Sequence, residues 1–117
     1  MAKLRDRDYA TLAGFRYALR QFTRYSEHAA TEAGLTPRQH QALLAIRARP
    51  GGTMRVGELA ERLFLRPHSA SELVRRMVEQ GLLRRETVTA DKRQVRLGLN
   101  ERGERMLEQL SQSHRAE

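Results

Sequence analysis

The chain has 117 residues, 22 Lys plus Arg against 14 Asp plus Glu, a formal charge of +8 and no cysteine. That length suits one domain with a modest core, and the charge favours a polyanionic partner, nucleic acid first. The lack of cysteine excludes disulfides, thiolate zinc sites and thiol redox sensing; no apolar run approaches a membrane span and the opening MAKLRDRDYA lacks the hydrophobic centre of a signal peptide, so a cytoplasmic protein with no membrane partner is expected.

From about residue 8 to 33, Leu12, Phe15, Leu19 and Phe22 recur at three- and four-residue spacing, and Ser26, Ala29 and Ala33 continue the row. That is the apolar stripe of a helix, widened by Tyr9, Tyr17 and Tyr25. Such a helix either packs in the core of its own chain or is shared with a second copy. Its length in so small a domain favours sharing. Gly34 suits a helix stop. Thr36-Pro37-Arg38-Gln39 has the form of a capping box with proline at the first helical position, which predicts a second helix to about residue 48 with Leu43, Leu44 and Ile46 inward. Arg49-Pro50-Gly51-Gly52 breaks it, and 53–55 has room for a brief strand. Residues 56–63 form a short amphipathic pattern with Val56, Leu59, Ala60 and Leu63 inward.

Phe64-Leu65-Arg66 is a tight connection. Pro67 opens the next helix, with Ala70, Leu73, Val74 and Met77 inward and Gly81 at its close. Residues 83–88 and 94–99 read as strands joined by a turn at 89–93, and Val95, Leu97 and Leu99 alternate as in a half-covered hairpin. A last helix from Asn100 carries Gly103, Met106, Leu107, Leu110 and His114 on one stripe. The expected fold is mainly α with a small β-hairpin, a winged helix–turn–helix carrying a long N-terminal dimerisation helix.

Two short helices in tight connection, followed by a basic hairpin, have a direct physical use. The major groove of B-DNA admits one helix, and its base edges present donors and acceptors that polar side chains read. The hairpin brings arginines to phosphates or the minor groove. Between Arg62 and Arg96 stand nine basic and four acidic residues. A charge run alone is a solvated face; it is the order of elements that makes DNA the reading.

Several motifs carry a family resemblance. Leu35-Thr36-Pro37-Arg38-Gln39, then Val56-Gly57-Glu58-Leu59-Ala60-Glu61-Arg62-Leu63, Gly81-Leu82-Leu83-Arg84-Arg85, and Asp91-Lys92-Arg93 followed by Val95 to Gly103 resemble the MarR family of bacterial transcription regulators. The most specific part is the Asp-x-Arg turn followed by Leu-x-x-x-Gly, and the likeness spans about residues 35–110. It implies a single domain over 1–117, with dimerisation helices at 1–34 and 100–117 around a DNA-binding core at 35–99. It also implies a homodimer that straddles a palindromic double-stranded site, represses transcription, and in many members releases DNA on binding a small, often phenolic effector. The chain stops short of a further C-terminal helix usual in the family, so dimerisation is expected to rest on the first helix and the last helix's stub, or to use an altered arrangement.

Residue by residue, the resemblance assigns Arg66, His68, Ser69, Ser71 and Glu72 to the major groove. It gives the DNA backbone to Arg75, Arg76, Arg84, Arg85, Lys92 and Arg96. Arg93 falls on the wing arginine for the minor groove, with Asp91 orienting it or simply forming the turn. Glu72, repelled by phosphate, either accepts from a cytosine amino group or pairs with Arg76 at i,i+4. Leu12, Phe15, Leu19, Phe22, Leu107 and Leu110 fall to the dimer interface. Phe15, Tyr17 and His40 fall where a family-type effector pocket would lie, although His40 reads first as a packed histidine.

His28 and Glu32, one turn apart, read as a surface ion pair before a metal chelate. No metal or other cofactor is expected, and no phosphate loop, nucleophile elbow or metal-ligand cluster supports catalysis. The alternatives to a sequence-specific regulator are an architectural protein that binds DNA without preference and a winged-helix module that binds protein.

Overall fold

A computed structural model describes residues 3–87 and 95–116, with side chains up to residue 112. The first helix, α1, spans Asp6–Glu32. Asp6 and Asp8 lie in its first turn, where negative charge suits the helix dipole, and the Asp8 carboxylate accepts from the Arg5 amide at 2.9 Å. At 27 residues the helix is about 40 Å long, and only its last turns are covered. Every residue from Tyr9 to Arg24 is exposed, whereas Ala30 is fully buried.

The second helix, α2, spans Pro37–Arg47. Its capping box forms as expected: the Gln39 amide donates to Thr36 Oγ1 and the Thr36 amide to Gln39 Oε1, both at 3.1 Å. Leu43 and Ile46 are buried, but Leu44, expected in the core, is 52% exposed. The break at Pro50–Gly52 is one 3₁₀ turn, in which Gly51 and Gly52 both adopt positive φ. It delivers the chain into β1, Thr53–Met54.

The next two helices form the helix–turn–helix. α3 spans Val56–Arg62 and buries Leu59 and Ala60; α4 spans Pro67–Glu79 and buries Ala70, Val74 and Met77. Side chains of the size of Val74 and Met77 each contribute about 1.5–3 kcal/mol when fully buried. Such burial fixes which face of α4 is left to solvent. Polar contacts fix the far end of α4. Gln39 Nε2 donates to Gln80 Oε1 at 2.8 Å, and Arg102 donates to the Gln80 carbonyl at 2.7 Å. Between the two helices Phe64 takes φ 54°, a conformation that costs an L-residue about 1–2 kcal/mol.

The strands β2 (Leu83–Thr87) and β3 (Val95–Leu99) pair antiparallel, Leu83 opposite Leu99 and Thr87 opposite Val95. The expected hairpin is one strand larger, because β1 joins β3 on its other side and gives the order β1-β3-β2. Gly98 faces Arg84 across the ladder, and a Cβ there would run into the guanidinium group.

The last helix, α5, spans Glu101–Ala116. Asn100 ties its start to the sheet, donating from its backbone to Leu82 at 2.9 Å and from its side chain to Leu83 at 3.1 Å. Gly103 is needed at the α5–β2 junction, since a Cβ would strike the Leu82 carbonyl oxygen. Leu107 and Leu110 lie in the chain's own core with Leu43, Ile46 and Leu82. This corrects the interface role expected for them: at 5% and 3% exposure, neither has surface left for a second chain. Among the described residues no helix is long and apolar enough to cross a membrane.

Candidate nucleic-acid interface

Because α4 turns Ala70, Val74 and Met77 inward, it turns Arg66, His68, Ser69, Ser71, Arg75 and Arg76 to solvent, with Glu72 half-exposed. Arg66 is the N-cap residue and Pro67 the first helical residue. Beside this front the N-terminus of α2 leaves a concavity of about 410 Å³, bounded by Thr36 and Arg38 on one side and by His68, Ser69, Glu72 and Arg76 on the other. Five of the expected reading residues therefore share one face. Arg38, which the sequence presented only as part of a helix cap, joins them from a different helix.

The electrostatics of this face depart from the expectation at two arginines. Glu72 pairs with Arg75 rather than Arg76: Arg75 donates to Glu72 at 3.0 and 3.1 Å, and to Glu79 at 2.7 Å. The hydrogen bond from Arg75 and its charge hold the Glu72 carboxyl below the usual carboxylate range. Arg75 is accordingly paired with two carboxylates, one on either side of it along the helix. Arg84 lies against Gly98, contacts Glu86 at 3.4 Å, and opens on a separate concavity with Arg47, Arg49 and Glu104. Arg62, Arg66, Arg76, Arg85 and Arg96 carry no ion pair among the described residues. Asp91, Lys92 and Arg93 lie outside the described residues.

A second concavity, of about 310 Å³, lies among α1, α2 and α5; Phe22, Ser26, Pro37, His40, Leu44 and Ser111 line it. His40 is only 7% exposed, which fits the packed reading, and it is one of the residues that line this space. Phe15 and Tyr17 do not: they lie farther up α1, 65% and 61% exposed, away from the lining. Phe22 and Leu44 take that position, the latter because it is turned out of the core. His28 and Glu32 approach to 3.6 Å on the surface, and among the described residues no group of three or more His, Asp or Glu side chains is placed to hold a metal ion.

A sequence model described as the MarR family matches residues 33–94, more than half of the chain. No match was found among curated proteins. Among solved structures, the chain is similar to a MarR family protein from Bacillus stearothermophilus, with 29% identity and a TM-score of 0.82 over 97% of this chain and 79% of that one. AbsC, a MarR family transcriptional regulator from Streptomyces coelicolor, is 24% identical with a TM-score of 0.74, over 99% of this chain and 78% of that one. NadR, crystallised in complex with 4-hydroxyphenylacetate, is 20% identical with a TM-score of 0.72, over 97% and 77% of the two chains. The last two likenesses bear on the fold alone.

Proposed function

The chain belongs to the MarR family of transcription regulators, and on that premise we propose that it is a homodimeric repressor that binds a palindromic operator. The observation that carries the reading is α4: its apolar face is fully engaged in the core, and its polar front stands clear at the surface. In this reading His68, Ser69 and Ser71 meet base edges in the major groove. Arg66, Arg76, Arg85 and Arg96 meet phosphates, Lys92 supports them, and Arg93 with Asp91 serves the minor groove. Arg75 orients Glu72 rather than touching DNA.

A second copy supplies the cover that α1 lacks. Leu12, Phe15, Leu19 and Phe22 are each at least half exposed on one chain, a row of large apolar side chains along one helix that suits a protein partner. Within each copy, residues 35–99 form the DNA-binding core in this reading, and 1–34 and 100–117 are the helices that flank it. Effector release is assigned to the concavity at Phe22, His40 and Leu44, whose apolar walls and single imidazole suit a small aromatic acid or phenol; the aromatic acid bound to NadR is of that class. The role is regulatory rather than enzymatic, and the protein is cytoplasmic.

Selection of bound sequences from random duplex DNA tests the reading. The expected product is a palindrome whose half-sites lie about one helical turn apart. Enrichment of a single unrepeated motif would contradict the dimer. No enrichment despite binding would favour the architectural alternative.

A further inference from the structure

Three helices of this chain end in the same way. Past each last turn, one backbone amide donates three residues back and the next donates five back: Gly34 to Thr31 and Leu35 to Ala30 after α1, Phe64 to Glu61 and Leu65 to Ala60 after α3, Gly81 to Val78 and Leu82 to Met77 after α4. The junction residues take φ of 87°, 54° and 72°. Two are glycine, which adopts this conformation without a clash at Cβ. The third is Phe64, the one non-glycine residue at positive φ among the described residues.

The left-handed backbone closes α3 with those two hydrogen bonds, but among the described residues the ring itself gains almost no cover. The Phe64 side chain is 95% exposed, more than any other large apolar residue described. A strained backbone that carries an unburied ring points to a contact made outside the chain.

The position of the ring says what kind of contact. Phe64 stands two residues after Arg62 and two before Arg66, both exposed and both without an ion pair among the described residues. It leads directly into the N-terminal end of α4, the end that approaches base edges in a helix–turn–helix. A ring flanked in sequence by two exposed arginines that carry no ion pair among the described residues fits a surface that is polyanionic yet carries apolar groups. DNA is such a surface, with phosphates for the arginines and thymine methyls and deoxyriboses for the ring.

We propose that Phe64 contacts DNA, its ring packed on a thymine methyl or a deoxyribose at the edge of the groove that α4 enters. The left-handed backbone at this residue holds the ring outward. The inference rests on the DNA-binding reading above and adds to it an apolar contact from the turn.

The test uses a duplex selected from random DNA by the wild-type chain, with the variants Phe64→Gly and Phe64→Asn, both residues tolerant of positive φ. Each variant is expected to melt no lower than wild type and to bind the selected duplex roughly tenfold more weakly. The dependence of affinity on salt is expected to stay unchanged, since no phosphate contact is lost. A duplex with deoxyuridine in place of thymine separates the two apolar partners. A loss in wild type that disappears in Phe64→Gly supports the methyl, and a loss confined to the variants supports the sugar. Wild-type affinity in both variants overturns the proposal, and a simultaneous loss of self-association in them would move the ring to a protein contact. A wild-type chain that binds no duplex removes the DNA reading itself, a failure shared by every variant and so distinguishable from failure at Phe64.

Discussion

Arg75 lies on the exposed front of α4, yet its hydrogen bonds run to Glu72 and Glu79 rather than outward. Glu72 is lowered below the ordinary carboxylate pKa by its hydrogen bond from Arg75. A lowered folded value means that the pair's contribution is fully present above the ordinary carboxylate value and is lost as pH falls through the folded one. The clamp therefore persists throughout the neutral range. Glu72→Gln frees Arg75 from one carboxylate and removes a charge that phosphate repels. Affinity for random duplex is expected to rise, with a salt slope steeper by about one. Weaker binding to a selected operator would instead mean that Glu72 accepts from a base. The sequence identified Glu72 as the discordant residue and offered a cytosine amino group or Arg76 as its partner; it did not offer Arg75, although partners three and four residues away are both neighbours on a helix and only the rotamer decides between them. Phe64 was legible only as part of a turn, since neither its φ nor its exposure has a signature in composition.

At the scale of elements, α1 shows what periodicity conveys and what it leaves out. The spacing of Leu12, Phe15, Leu19 and Phe22 gives the helix and its stripe, but spacing does not distinguish an intramolecular neighbour from an intermolecular one. The same ambiguity misled the reading of α5, where Leu107 and Leu110 belong to the chain's own core, and of α2, where Leu44 faces outward. Strand β1 was faintly legible because two residues are too few for an alternating pattern; its pairing with Leu97 and Gly98 depends on the chain returning from far along the sequence. Since Phe15 and Leu19 are 65% and 51% exposed, the double variant Phe15→Glu, Leu19→Glu should leave the core of one chain intact. Analytical ultracentrifugation is expected to give half the wild-type mass, with helical circular dichroism and a cooperative melt retained. An unchanged dimer would place the interface elsewhere.

For the whole molecule, the winged core was legible because several independent signals agreed over residues 35–99: the capping box at Thr36, proline at the start of α4, glycine at its end, and inward positions at the period of each element. Charge added the direction of the partner. The relation of that core to a second copy was less legible, because it depends on surfaces that only a folded chain has. The concavity beside His40 belongs with these surfaces, assembled as it is from the consecutive helices α1 and α2 and the distant α5. Sequence-specific DNA binding is the claim on which the rest depends. It is tested most directly by titrating the whole chain with its selected duplex and with a random duplex of equal length at one physiological salt concentration. The selected duplex is expected to bind roughly 10³-fold or more tightly than the random one; equal affinities for the two would contradict the claim.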